Sequence, residues 1–214
     1  MKKISKKRHQ IALKKEIKFW QNPDILKAQA FRTERYALYL KKSIELYGKE
    51  SVSQVLEVGC GPPCCAQVIL EGVKTYLDPL LDEYEKIFPD HIPFGKYISK
   101  NIEDAILKNN FFDIIISLNA LDHVQDPWSA LDIINNALKP GGIFIFSIYT
   151  RGTIFAFLRN IQEYFSLSTD SAHPYSYTKS MMEKDLINAR FNIHFCELIE
   201  KDKDRSEYIW ICRK

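Results

Sequence analysis

The stretch Val52-Ser53-Gln54-Val55-Leu56-Glu57-Val58-Gly59-Cys60-Gly61-Pro62-Pro63 constrains the fold more than any other part of this 214-residue chain. Val52, Val55, Leu56 and Val58 suit a strand with both faces covered, as in a parallel sheet. Gly59 and Gly61 bracket Cys60, so the backbone can turn sharply and lie close to a ligand. Pro63 fits the first turn of a following helix, where a missing N–H costs nothing. Glu57 puts a negative charge near the carboxyl end of the strand, where open α/β sheets bind their ligands.

Three ligand classes fit a strand–glycine–helix turn. A phosphate-binding loop is excluded because no Gly-Lys-Ser/Thr follows. A dinucleotide fold requires Gly-x-Gly-x-x-Gly, and the last position here is Cys64. A carboxylate at Glu57 would also serve a pyrophosphate poorly. A nucleoside ligand without phosphate and with a positive centre suits the residues best, and S-adenosylmethionine is one. At this point Leu56 to Gly61 resembles the first motif of the class I S-adenosylmethionine-dependent methyltransferases, apolar-apolar-acid-x-Gly-x-Gly-x-Gly, departing at the third glycine, where Pro63 stands.

The length accommodates one full α/β domain. Hydrophobic residues at 46% support a packed core, and a formal charge of +3 gives no ground for a nucleic-acid partner. No run approaches the roughly 18 apolar residues of a membrane span. The N-terminus lacks the apolar segment of a secretory signal. Cys60, Cys64, Cys65, Cys196 and Cys212 contain no Cys-x-x-Cys pair, which favours reduced thiols in a cytoplasm over a disulfide or zinc framework. Cys64 and Cys65 read as small packing residues at a helix start, and no metal site is expected.

Residues 1–18 carry eight Lys and Arg against the single acid Glu16. They read as a frayed, solvated terminus or as an arm for RNA or an anionic surface, with the later part docking as a helix through Ile11, Leu13, Ile17, Phe19 and Trp20. After the break at Asn22-Pro23-Asp24, the residues Leu26, Ala30, Thr33, Ala37, Leu40, Ile44 and Tyr47 mark one face of a long helix that Gly48 ends. Residues 1–50 thus form an N-terminal helical cap or arm, and residues 51–214 the methyltransferase-like domain. The cap resembles the one many small-molecule methyltransferases place over the substrate. Phe19, Trp20, Phe31, Arg32, Tyr36 and Tyr39 would then line a pocket, or else pack on the sheet edge.

Beyond the glycine turn, Ala66 to Glu71 reads as the first crossover helix and residues 73–77 as a second strand. Asp78, followed by Pro79, lies nineteen positions after Gly59, near the offset of a ribose-binding acid. The same pair also suits a helix cap. Residues 80–88 read as a helix and 94–98 as a weak third strand. Asn101, Ile102 and Glu103 follow it, where the family holds the adenine; capping is the alternative for Asn101. Residues 111–117 form the clearest buried strand, and Asn119-Ala120-Leu121-Asp122-His123-Val124 turns away from it. Asp126-Pro127 starts a helix that Lys139-Pro140-Gly141-Gly142 breaks, and residues 143–148 form the next strand. The run FDIIISLNALDHVQDPWSALDIINNALKPGGIFIFSI closely resembles the corresponding run of the same methyltransferases, and the resemblance covers residues 52–150.

No single periodicity fits the aromatic residues 150–177, which read as an irregular lid. Thr178 or Ser180 can start a helix, with Ser180 and Glu183 as a capping box. Phe191, Ile193 and Phe195, then Tyr208, Trp210 and Cys212, alternate as a terminal hairpin across a charged turn. The implied fold is a three-layer, Rossmann-like α/β sandwich with a seven-stranded, mostly parallel sheet, a C-terminal antiparallel hairpin and N-terminal helices.

By the resemblance, Glu57, Gly59, Cys60 and Gly61 would hold the methionine part of S-adenosylmethionine. Asp78, with Pro79, would hold the ribose, and Asn119 with Ala120 would meet the amino end through backbone oxygen. His123, oriented by Asp122, is the first place to look for a base; organising the turn is the alternative. His173, Tyr175 and Tyr177 are weaker candidates for substrate contact. The leading expectation is methyl transfer to a small-molecule oxygen, leaving S-adenosylhomocysteine. RNA methylation through the basic arm and a non-catalytic binding protein are the alternatives. The sequence is silent on oligomeric state and on the acceptor.

Overall fold

The computed structural model describes residues 3–48, 51–89, 93–165 and 173–214, without the side chains of residues 23 and 26–32. Two helices, α1 (Lys6–Trp20) and α2 (Pro23–Tyr47), precede β1 (Gln54–Val58), β2 (Val73–Leu77), α3 (Leu81–Ile87), β3 (Lys96–Ile98) and β4 (Phe112–Leu118). Then come α4 (Pro127–Ala137), β5 (Leu138–Arg151), α5 (Thr153–Tyr164), α6 (Lys179–Asn188), β6 (Asn192–Lys201) and β7 (Arg205–Arg213). The strands form one seven-stranded sheet in the order β3-β2-β1-β4-β5-β7-β6, with only β7 antiparallel to its neighbours. This is the expected three-layer sandwich.

Alternation along the buried strands builds its two cores. Ile114, Ile116, Ile143, Ile145, Ile209 and Ile211 point to the face covered by Tyr36, Leu40 and Tyr47 of α2. Ile115, Phe144, Phe146, Trp210 and Cys212 point to the other, against Leu131 and Ile134 of α4 and Met182 and Leu186 of α6. Residues 139–142, expected only to break a helix, already belong to β5, and Leu138, expected on that helix, lies opposite Phe112 across an irregularity in register. Asn22 caps α2 and Gly48 ends it in the left-handed region, as expected. The buried stripe, however, runs through Tyr36, Leu40, Ser43 and Tyr47, with Tyr39 beside it, so the face is rotated toward Glu207 and Asp113.

Four further expectations change. The first crossover is a single 3-10 turn, Cys65–Val68, rather than a helix over 66–71. Pro62 and Pro63 supply no N–H, Cys64 has φ +44°, and the amides of Cys65 and Ala66 are taken by Glu57, while α2 fills the layer. Residues 150–177 are not irregular throughout, since α5 occupies 153–164. The cap of α6 is Thr178, whose hydroxyl accepts the Met181 amide at 3.1 Å; Glu183 pairs with Lys179 instead of closing a box on Ser180. The N-terminus is not frayed from residue 3 onward. The Ile4 amide donates to Gln125 O and Tyr175 Oη, and His9, Ala12 and Trp20 of α1 are buried. Among the described residues, no helix is long and apolar enough to cross a membrane.

Candidate active site

The strand order reverses between β1 and β4, and a cavity of about 520 Å³ opens at the carboxyl ends of β1, β2 and β4. Two approaches of backbone shape its floor. Gly59 has φ +67°, and a Cβ there would stand 2.2 Å from Cβ of Ala120, so only glycine lets the tips of β1 and β4 meet. Gly61 has φ +53°, and a Cβ there would stand 3.1 Å from Cζ2 of Trp20. Trp20, tied to Glu16 through its indole N–H at 2.8 Å, therefore closes over the glycine turn from α1.

The two acids of the turn face this cavity. Glu57, 2% exposed, accepts the amides of Cys65 at 2.9 Å and Ala66 at 2.7 Å, one on each oxygen. Its carboxyl group braces the loop through both oxygens. Burial nonetheless pushes its pKa up to about 8. Asp78 accepts the amide of Gly61 at 3.1 Å on one oxygen and that of Leu80 at 2.9 Å on the other. Burial pushes its pKa up to about 6. Each carboxylate oxygen has two acceptor positions, so Asp78 keeps capacity for a ligand's hydroxyls. Burial holds the Cys60 thiol well above its ordinary pKa, so it is no thiolate nucleophile.

The walls gather the rest. Pro79, Asn101, Ile102, Glu103, Asn119, Ala120, Asp122 and His123 all line the same cavity, as do Phe19 and Tyr36. The side chains of Phe31 and Arg32 lie outside the described residues. Tyr39 packs against Phe195, and Tyr177 is buried in the core. Tyr175 donates its hydroxyl to Gln125 O at 2.7 Å, pinning the N-terminus. None of these three lines the cavity.

Cofactor fit can be judged from acceptors left open. Oδ1 of Asn101, Oε2 of Glu103 and Oδ1 of Asn119 are buried without a hydrogen-bond partner among the described residues. Buried acceptors of this kind call for donors. The amino groups of an adenine and an amino acid are such donors, whereas a pyrophosphate is not. With buried acids at Glu57 and Asp78, the acceptor chemistry of the cavity fits S-adenosylmethionine.

At the far wall, Asp122 Oδ2 lies 2.9 Å from Nδ1 of His173, and its Oδ1 lies 3.8 Å from Nε2 of His123. His123 Nδ1 in turn lies 3.6 Å from Glu16 Oε2. Burial pushes the Asp122 carboxyl up, but the adjacent His123 and the His173 hydrogen bond outweigh it and hold Asp122 below its ordinary pKa. The ligand atoms of Asp122, His123 and His173 lie within 4.8 Å of one another, a donor set that could hold a divalent ion.

Sequence reasoning missed the network behind Asn119. Its backbone has φ +53°, and its amide donates to Glu207 Oε1 at 2.6 Å and Tyr36 Oη at 3.0 Å. Glu207 also accepts from Tyr36 and, at 2.9 Å, from Arg35. An isolated acid inside the alternating apolar strand 205–213 was the available signal.

Strand order, switch-point cavity and acid-tipped glycine turn define a class I methyltransferase fold. A family profile described as "Methyltransferase domain" matches residues 29–194, and the chain belongs to that family of S-adenosylmethionine-dependent methyltransferases. It is similar to the ubiquinone biosynthesis O-methyltransferase of Vibrio atlanticus, 34% identical over 118 residues, which cover 52% of this chain and 48% of the relative. The chain thus spans about half the length of the curated relatives it matches. Among solved structures it is similar in fold to a SAM-dependent methyltransferase from Methanosarcina mazei, with TM-score 0.63 and 15% identity over 80% of this chain and 96% of the other. The 1,6-didemethyltoxoflavin-N1-methyltransferase of Burkholderia thailandensis, crystallised with its substrate and S-adenosylhomocysteine, gives TM-score 0.61 and 16% identity over 88% of this chain and 82% of the other.

Proposed function

We propose that the protein transfers the methyl group of S-adenosylmethionine to an oxygen of a small molecule, with residues 1–50 capping the domain formed by 51–214. The observation that carries this reading is the gathering of the glycine turn, Asp78, the open acceptors and the Asp122–His123–His173 wall around one cavity. The name of the Vibrio relative supports oxygen as the acceptor atom.

When bound, S-adenosylmethionine supplies a methyl on a sulfonium, ready for displacement. Asp78 would hold the ribose, Asn101 and Glu103 the adenine amino group, and Asn119 the methionine ammonium. Glu57 acts one step back, fixing the loop from Gly59 to Cys65. Trp20 and Phe19 exclude water, and alignment of the acceptor supplies ~7–11 kcal/mol of the barrier reduction. His123 takes the acceptor's proton, and Asp122 stabilises the charge that results. The five cysteines are thiols, which supports a reducing compartment such as the cytoplasm.

A second reading has one specific observation in its favour. The same Asp122, His123 and His173 match an ion-binding donor set, so an ion could orient the acceptor there. Calorimetric titration with S-adenosylhomocysteine and methyl transfer to a panel of small hydroxyl-bearing acceptors, before and after dialysis against EDTA, test both readings. Cofactor binding with EDTA-resistant turnover supports the base, and turnover restored only by added divalent ions supports the metal. Absence of cofactor binding overturns the methyltransferase activity itself.

A further inference from the structure

The cavity extends past the cofactor positions. In the sheet order, the glycine turn and Asp78 follow β1 and β2, and Asn119 follows β4. On the far side of β4, strands β5 and β7 add Tyr149 and Arg205 to the lining. Tyr149 lies opposite Glu207 in the antiparallel pair, which makes Arg205 its diagonal neighbour on the same face. The Arg205 guanidinium carbon stands 4.3 Å from the centroid of the Tyr149 ring. Tyr149 donates its hydroxyl to Glu200 at 3.2 Å, which fixes the platform beneath the guanidinium.

Arg205 is thus an oriented fork. Its Nε donates to Asp202 Oδ2 at 3.1 Å, and its two terminal nitrogens have no hydrogen-bond partner among the described residues. The side chain is 39% exposed, so a ligand can reach it. A guanidinium held in this way offers N–H donors in the geometry that a carboxylate or a phosphate matches. A purely structural role in the β6–β7 turn would need the Asp202 contact alone, without the stack on Tyr149 or the place in the cavity wall.

The surrounding charge has the same sign. Arg205 also lines an open groove between the starts of α5 and α6 and the β6–β7 turn, which holds five basic residues against three acids. Each acid is taken by a cation: Asp204 by Arg151, Glu183 by Lys179 and Asp202 by Arg205. Lys201 and Lys203, exposed on that groove, have no ion pair among the described residues.

We propose that the methyl acceptor carries an oxyanion, a carboxylate or a phosphate, which Arg205 grips where cavity and groove meet, while the acceptor hydroxyl lies toward His123 in the same cavity. This rests on the methyltransferase reading and narrows its acceptor class.

Calorimetric titration of the S-adenosylhomocysteine complex tests it. The probes are a panel of hydroxycarboxylic acids, the primary amide of each, and hydroxyalkyl phosphates with their parent diols. At least one anion should bind about tenfold or more tightly than its uncharged counterpart, and the arm that binds identifies the oxyanion. Arg205→Ala should abolish the preference, and Arg205→Lys should keep only part of it, because an ammonium lacks the fork. Lys201→Glu combined with Lys203→Glu should weaken the anions by about threefold and leave the uncharged probes unchanged. Unchanged S-adenosylhomocysteine affinity would show that each variant is folded. Equal affinity for anions and their counterparts overturns the proposal, as does the lack of binding of every anion to the intact complex or a full preference in Arg205→Ala. Failure to bind S-adenosylhomocysteine is a distinct result that overturns the methyltransferase reading beneath it.

Discussion

Asp122 Oδ2 and His173 Nδ1, fifty-one positions apart in the chain, meet at 2.9 Å behind the ring of His123. The rings of His123 and His173 pack edge to face, with centroids 4.5 Å apart. An ionised Asp122 only accepts, so the proton of His173 sits on Nδ1. The pair fixes the wall against which His123 would work. His123→Ala is expected to lower kcat by about 100-fold, within the usual range for general-base catalysis, while S-adenosylhomocysteine affinity stays within twofold. Asp122→Asn should lower kcat less than His123→Ala does. Equal turnover of the His123 variant would remove it as the base.

Asp78 gives a pH dependence to cofactor binding. Burial raises its pKa from the ordinary 3.8 to about 6. Protonation removes acceptor capacity from a carboxylate that already accepts two amides. Affinity for S-adenosylhomocysteine should therefore be full above that value and fall as pH drops through about 6. Asp78→Ala should bind at least about tenfold more weakly at neutral pH, the loss of charge-assisted hydrogen bonds being worth about 1.5–3 kcal/mol. Calorimetry across pH checks both, and unchanged affinity in Asp78→Ala would refute the ribose placement.

Glu57 links the same turn to folding. Its pKa is raised from the ordinary 4.5 to about 8 by burial, so in that window the folded chain holds a proton that the unfolded chain has lost. The contribution of this group to stability is thus present at low pH and declines as pH rises through about 8. Glu57→Gln should remove that slope from urea-unfolding curves measured without cofactor. It should also weaken S-adenosylhomocysteine binding, because an amide nitrogen cannot accept one of the two loop N–H groups.

The legible parts of the chain were those where local chemistry and tertiary environment agree. Ile114, Ile115 and Ile116 announce a strand buried on both faces, and Asp126-Pro127 announces a helix start; both stand where expected. The residues named for the cofactor and the base line one cavity because strand tips in a parallel sheet converge at a switch point. What could not be read depends on partners distant in sequence. The first crossover fails to form a helix because Glu57 takes its amides and α2 fills the space. Helix α5 carries a regular apolar stripe, but the surrounding aromatic residues from 150 to 177 obscured it. Nothing local marks His173 as the neighbour of Asp122, or Glu207 as that of Asn119.

Glu207 tests how far the site depends on a group outside it. Fully buried on β7, its carboxylate accepts from Arg35, Tyr36 and Asn119. Asn119 holds a left-handed conformation at the tip of β4, and its amide is anchored to Glu207 and Tyr36. Removing one partner of a buried pair costs about 3–5 kcal/mol, because the other charge stays uncompensated. Here Arg35 is partly exposed and also pairs with Glu200 at 2.8 Å, so Glu207→Gln should fall at or below the low end of that range. The release of Asn119 should act on function separately. S-adenosylhomocysteine affinity should fall even at temperatures where the variant is fully folded, because the acceptor at Asn119 Oδ1 is no longer held in place. Thermal unfolding with calorimetry well below the midpoint separates the two effects, and undiminished affinity in a destabilised variant would show that Glu207 supports the fold alone.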